Sequence, residues 1–302
     1  MAVIETDGLT KRYGDVLAVD DLNLTVEDGE VFGFLGPNGA GKSTTISLLL
    51  DFLHPTAGEA RVFGLDSHEA SRRIRERVGV LPEDAAPYER LTGREHLELT
   101  ADCKGVDADF GALLDRVGLD PDDADRAVGG YSKGMAQRLG LGMALVGDPD
   151  LLILDEPSSG LDPTGMREMR DLVREEAADG TTVFFSSHIL PEVEAVCDRI
   201  GILDDGRLVT AGEIGSLRDE LLSDCTVEVT LASGMEIPEL TGVDGVVDVE
   251  QEGSTLTVTC AEPSSKSAVV AHLRERTSVR DVVAVSVKVE APSEIYTGGA
   301  EA

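Results

Sequence analysis

The sequence predicts an α/β fold with a smaller α+β domain behind it, and three observations carry that prediction. Continuous apolar runs within "VFGFLG", "LLILDEP" and "TTVFFSSH" read as buried strands. Stretches with apolar residues at three-to-four spacing lie among them and read as helices. Beyond about residue 223 the text changes to short alternating strands with one helix between them.

Taken in order, "LNLTV" (22–26) alternates apolar and polar residues, as a half-buried strand does, and "EDGE" turns the chain into "VFGFLG". "KSTTISLLLDFL" follows with helical spacing, then "PTAGEARVFG" as a turn and strand. From about 68 to 146 the pattern is mostly helical, through "SHEASRRIRERVGV", "LTGREHLELTADCKG" and "DFGALLDRVGLDP". The last of these stops at Gly118 and Pro121, residues that end helices. "LLILDEP", "TTVFFSSH" and "RIGILDDGRLVTAG" return to strands, with a hairpin signal at Asp205-Gly206. "EIGSLRDELL" reads as a closing helix. In the tail, "TVEVTL", "VVDVE", "TLTVTC" and "VVAVSVKVE" read as strands, with the helix "SSKSAVVAHLRER" between the last two. The expected domains are 1–222 and 223–302.

Composition narrows the function. The 302 residues carry 58 acids against 26 bases, a formal charge of −32, so a nucleic-acid surface is disfavoured because it needs a basic face. Regular apolar periodicity argues against disorder. The acid excess and six lysines against 20 arginines fit a salt-loving, haloarchaeal source, where screening tolerates such charge. With no Trp and 4% aromatics, the core is expected to be aliphatic and alanine-rich. Cys103, Cys197, Cys225 and Cys260 lie far apart and read as reduced thiols. The five histidines are scattered along the chain, which speaks against a zinc site. The first residues do not form a signal peptide, and no uncharged run reaches the ~20 residues of a membrane helix, so any span must come from a partner chain.

The chemistry begins at "GPNGAGKST", Gly36, Pro37, Asn38, Gly39, Ala40, Gly41, Lys42, Ser43 and Thr44. The pattern is a glycine, four residues, Gly-Lys, then Ser or Thr, set between a buried strand and a helix, which is the context a phosphate loop requires. The glycines let backbone N–H groups turn toward an anion, and the helix N-terminus adds a positive dipole end. Lys42 would neutralise phosphates and the Ser43 hydroxyl would ligate Mg²⁺. "LLILDEP" places Asp155 and Glu156 at the end of an apolar strand, beside that loop in an open α/β sheet. Asp155 suits a Mg²⁺ ligand, and Glu156 suits a general base for an attacking water. "TTVFFSSH" ends in His188, within reach of a γ-phosphate from a neighbouring strand end.

Tyr13, the loop 36–44, "VLPED", "YSKGM", "LLILDEP", "SGLD" and His188 occur in the order of the ATP-binding cassette family, which residues 3–220 resemble. The resemblance implies a P-loop hydrolase cassette: a mixed sheet core, an antiparallel β subdomain, and a helical subdomain at about 84–146, followed by the small C-terminal domain. It implies ATP and Mg²⁺ as ligands and head-to-tail dimers with ATP at the interface. Ser132, Lys133 and Gly134 of "YSKGM" would face the phosphate loop of the other copy, Tyr13 would stack on adenine, and Asp162 would cross the interface. Glu83 stands where the family usually has Gln, at the link between metal site and transmembrane partner. Lys133 replaces the usual second glycine and Met135 the usual Gln. Lys133 either adds charge near the nucleotide or is a solvated lysine at a helix start. Glu83 and the overall pattern are similar to exporter cassettes of the drug-efflux and gliding type. The tail is similar to a small domain on some of these, with Tyr296 of "PSEIYTGG" in an aromatic place, and is either regulatory, dimerising or a structural cap.

The leading function is the ATPase subunit of a transporter, an exporter with a separate integral-membrane permease, held at the cytoplasmic face of the membrane. A soluble cassette acting on ribosomes or DNA is the alternative, though such proteins carry two cassettes or long coiled coils. A regulatory module without turnover is opposed by Glu156. A guanine-specific enzyme is opposed by Asn23 and Asn38, neither followed by Lys.

Overall fold

A computed structural model describes residues 1–83, 87–215, 225–231, 240, 243, 245–252, 255–260, 265, 269, 272–273 and 279–284. It divides into two units, Met1–Ile214 and Gly215–Ala302.

The first unit opens with two long antiparallel strands, β1 (Ala2–Tyr13) and β2 (Val16–Glu27). Leu22, Leu24 and Val26 are buried between exposed neighbours, so one face of this pair meets the core and the other meets water. Next, β3 (Val31–Leu35) leads to the loop 36–41 and helix α1 (Lys42–Leu49). That helix is shorter than the run 42–53 expected. Asp51, with φ of 57°, breaks it, and the Phe52 and Leu53 N–H groups bond the Ser47 carbonyl instead. β4 (Ala57–Val62) and β5 (Leu65–Asp66) complete an antiparallel sheet of order β2-β1-β4-β5.

The helical expectation for "SHEASRRIRERVGV" holds only for the short helix α2 (Ser71–Arg75). The next residues form a strand, β6 (Val78–Leu81), parallel to β7 (Leu151–Asp155), with Val78 opposite Leu151. Ile74, Val78 and Leu81 keep helical spacing, so periodicity alone could not separate four buried strand residues from a continuing helix. Helices α3 (Gly93–Lys104), α4 (Phe110–Arg116), α5 (Pro121–Ala124) and α6 (Lys133–Leu145) fill the stretch before β7. Thr92 caps α3 in a full capping box with Glu95, and Gly105 ends it in the left-handed conformation. After β7 come α7 (Pro163–Ala178), β8 (Thr182–Ser187), α8 (Leu190–Glu194), β9 (Arg199–Asp204) and β10 (Arg207–Glu213).

The central sheet runs β10-β9-β3-β8-β7-β6, parallel except for the β9–β10 hairpin. Asp205 and Gly206 both have positive φ (44° and 80°), as a two-residue primed turn requires. Every residue of β3, β7 and β8 is buried, and Phe32, Phe34, Leu151, Ile153 and Phe184 share one core with Leu22, Leu24 and Val26 of the antiparallel sheet. The core is largely aliphatic but not alanine-rich. Phe32, Phe34, Phe184 and Phe185 are its largest fully buried side chains, with the Phe34 and Phe184 rings 5.2 Å apart. Few aromatics does not mean none inside, because those present concentrate in the middle strands.

The second unit holds an antiparallel sheet of order β12-β13-β11-β14, formed by β11 (Cys225–Leu231), β12 (Val246–Glu252), β13 (Thr255–Cys260) and β14 (Val279–Ala284). Val227, Val229, Leu256, Val258, Val269 and Leu273 form its own core. Residues 265, 269 and 272–273 are helical, between β13 and β14. β14 starts at Val279, ahead of the run "VVAVSVKVE" expected as the last strand. Of the expected closing helix 213–222, Glu213 ends β10 instead and 214–215 are helical, while 216–222, like Tyr296, lie outside the described residues.

Candidate functional site

The C-terminal ends of β3, β7 and β8 lie side by side: Leu35 pairs with Ser187, and Asp155 with Ser186. Each strand therefore delivers its next residues to one crevice, where an open α/β sheet binds its ligands. β3 delivers the glycine loop, β7 delivers Asp155 and Glu156, and β8 delivers His188.

The loop is closed by its own backbone. The Gly36 N–H bonds the Ser187 carbonyl (3.2 Å), and the Ala40 N–H bonds the Pro37 carbonyl (3.1 Å). Gly41 stands at the N-cap of α1 with φ of 108°, and a Cβ there would lie 2.4 Å from the Ala18 carbonyl oxygen. Only glycine meets both conditions, so this residue fixes how the helix N-terminus enters the crevice. Lys42 is buried and arches back over the loop, donating to the Gly36 carbonyl at 2.7 Å and reaching the Pro37 carbonyl at 3.3 Å. Ser43 is exposed in the first turn of the helix.

Asp155 is buried and accepts a hydrogen bond from Ser186 Oγ. Glu156 is buried with φ of 49°, a conformation unusual for a residue with a side chain. Its N–H bonds the Ser186 carbonyl (3.2 Å), which holds the turn. Its two oxygens have different surroundings. Oε2 lies 2.8 Å from His188 Nδ1. Oε1 lies 3.3 Å from Lys42 Nζ as an ion contact, yet it is buried and makes no hydrogen bond. A buried carboxylate oxygen with an unused lone pair is suited to accept a proton or to ligate a hard cation. With the exposed Ser43 hydroxyl and the Asp155 carboxylate, the donors here are all oxygen, a set that fits Mg²⁺.

Ser132 and Asp162 are exposed helix N-caps. Ser132 Oγ accepts from the Met135 N–H (3.2 Å) at the start of α6, and Asp162 accepts from the Gly165 N–H (2.7 Å) at the start of α7. The Ser132 hydroxyl keeps its own proton to donate outward. Lys133 Nζ donates to Ser159 Oγ at 2.9 Å, so it is tied to the loop after β7 in its own chain. Tyr13 is 47% exposed at the end of β1, with Lys11 Nζ 5.2 Å above its ring. Glu83 is exposed two residues past β6.

Sequence reasoning missed a layer of buried polar residues beneath this crevice. Glu192 Oε2 accepts from both Ser158 Oγ (2.6 Å) and Ser187 Oγ (3.0 Å), which joins the loop after Glu156 to the strand end before His188. Gln137 on α6 donates to the Pro157 carbonyl at 2.9 Å. The available signal was polar residues where the helix or strand face is apolar: Ser186 and Ser187 closing an all-buried strand, and Gln137 on the inward face of α6.

Comparison with known proteins gives a consistent answer. Residues 19–159 match the family model described as ABC transporter. The bacitracin transport ATP-binding protein of Bacillus licheniformis is 43% identical, over 68% of this chain and 68% of its own. A fluoroquinolones export ATP-binding protein of Mycobacterium tuberculosis is 41% identical, over 82% and 83%. Among solved structures, a dimeric bacterial ABC transporter cassette superposes with a TM-score of 0.65 at 25% identity, over 70% of this chain and 98% of its own.

Proposed function

From the premise that this chain belongs to the ABC transporter family, whose ATP-binding subunits are its relatives, we propose that two copies close head to tail on ATP, hydrolyse it, and drive export through a separate integral-membrane permease. The observation that carries the reading is the buried Glu156, with His188 on one oxygen and Lys42 near the other.

In this reading the loop 36–44 wraps the phosphates with its N–H groups, and Lys42 turns from the loop carbonyls to the phosphate oxygens. Ser43, Asp155 and Glu83 would hold Mg²⁺, which when bound would neutralise charge developing on the phosphates. Glu156 takes a proton from water as the water oxygen bonds to the γ-phosphorus. The bond to the bridging oxygen breaks, and ADP and phosphate leave without a covalent intermediate. His188 holds Glu156 in place and donates toward the γ-phosphate. Ser132 and Gly134 of the other copy supply the outer wall, at a helix N-terminus that favours anions. Asp162 crosses between copies, and Tyr13 supplies an aromatic face for adenine.

The cassette comprises about residues 1–222, with its helical part at about 84–146, and the tail 223–302 regulates or dimerises. Among the described residues no helix is long and apolar enough to cross a membrane. In this reading the permease supplies the span and holds the chain at the cytoplasmic face of the membrane. The charge of −32 supports a haloarchaeal, high-salt setting and disfavours a nucleic-acid partner.

Fractionation tests the transport reading. Co-expression with the membrane protein encoded beside it should carry this chain to the membrane fraction, and the chain alone should stay out of it. Firm binding to lipid vesicles without a permease would contradict the reading, and binding to ribosomes would favour the soluble alternative.

A further inference from the structure

Outside the nucleotide crevice, three side chains that stand apart in sequence meet just past the end of α1. Asp51 Oδ1 lies 2.9 Å from His68 Nδ1 and 3.1 Å from His54 Nδ1. One donor atom from each of the three residues lies within 4.8 Å of the other two, and the two imidazoles meet edge to face with centroids 4.4 Å apart. The histidines that look scattered in the sequence thus include a converging pair. We propose that Asp51, His54 and His68 form a binding site for a divalent transition metal, of the class of Zn²⁺, Co²⁺ or Ni²⁺.

Two imidazole nitrogens and one carboxylate oxygen are a donor set for these metals. Mg²⁺ and Ca²⁺ prefer oxygen alone. Both rings aim the same nitrogen at one carboxylate oxygen. Once each Nδ1 gives up its proton, the two rings and the carboxylate offer three lone pairs to a shared cation, which is why binding should release protons. The two rings are 67% exposed, which leaves the remaining coordination positions open to water, and the Asp51 side chain is only 13% exposed.

Each ligand is held by its own backbone anchor. Asp51 is in the left-handed region, φ 57°, with its N–H on the Leu48 carbonyl (3.2 Å). The His54 carbonyl accepts from Lys11 Nζ at 2.6 Å, and the His68 N–H bonds Asp66 Oδ1 at 2.9 Å. An independent feature adjoins them. A cavity of about 70 Å³ is lined by Asp51, Asp66, Ser67 and His68, and the buried Ser67 Oγ makes no hydrogen bond. That hydroxyl shares the cavity with Asp51 and His68 and has its hydrogen bond free for a water there. A metal here would staple the turn after α1, the helix that carries Lys42, to the segment after β5.

The test uses the full chain, stripped with a chelator and free of nucleotide, in buffer with excess Mg²⁺ to occupy diffuse carboxylate sites. Zn²⁺ titration by calorimetry should show about one tight equivalent with proton release, and Co²⁺ should develop a visible absorption band. The double variant His54→Gln, His68→Gln should lose the equivalent and the band while its ATP turnover stays at the wild-type value. Equal Zn²⁺ binding by wild type and double variant, or no tight equivalent in the wild type, would overturn the proposal. Failure of ATP turnover in the wild type would bear on the crevice and leave this result independent of it.

Discussion

His188 Nδ1 stands 2.8 Å from Glu156 Oε2, and this pair spans the ends of two adjacent strands. Glu156 is the residue immediately after β7, in a left-handed turn, and His188 is the residue immediately after β8. A residue held in that conformation costs on the order of 1–3 kcal/mol and persists only where the surroundings impose it. Here the Ser186 carbonyl holds its N–H, His188 holds one oxygen, and Lys42 stands beside the other.

Glu156→Gln keeps the shape and removes the proton acceptor. ATP binding should survive while turnover falls by roughly 10²–10⁴-fold, the usual worth of a general base. Single-turnover hydrolysis with radiolabelled ATP measures it. Unchanged turnover would remove Glu156 as base.

Lys133 links the start of α6 to the loop after β7. Its ammonium bonds Ser159, and its aliphatic stem lies against Gly160, where a Cβ would come within 2.3 Å of it. Lys133→Met keeps the stem and should cost no more than about 1 kcal/mol, an exposed hydrogen bond. Gly160→Ala has φ of 81° to satisfy as well as that collision, and should cost at least about 1–2 kcal/mol. Urea denaturation of the nucleotide-free protein ranks them. The reverse order would show that the lysine, rather than the space under it, holds this contact.

Glu176 on α7 is buried, and burial raises its carboxyl above the usual value although Arg116 pairs with it and pulls it down. A raised acid favours the folded state below its unfolded pKa, and that contribution is lost as pH rises through the folded value. Glu176→Gln mimics the protonated form. Its stability relative to wild type should therefore improve as pH rises above about 4.5, read as a difference in Tm. A difference that moves the other way would show that the Arg116 pair outweighs the burial.

Much of the crevice was legible because its chemistry needs fixed spacings. Loop 36–44 and Asp155-Glu156 are local patterns, and each follows an apolar strand whose end the sheet brings to one place. β6 was hidden because four buried residues continue the spacing of the helix before them. Glu192, Gln137 and the meeting of His54 with His68 are contacts between distant segments, and single-sequence periodicity carries no information about such pairs. Lys133 has the same lesson. Its partner Ser159 is 26 residues away, so the sequence offered only the nucleotide or the solvent.

The central claim is that one copy holds half of the site and the second copy supplies the rest. Light scattering on the Glu156→Gln chain with ATP and Mg²⁺, compared with the same chain carrying Ser132→Arg, tests it most directly. The account predicts a mass of about twice 31.9 kDa for the first and a monomer for the second. A Ser132→Arg chain that dimerises on ATP as well as its parent, or a wild-type monomer that hydrolyses ATP at full rate when too dilute to pair, would contradict it.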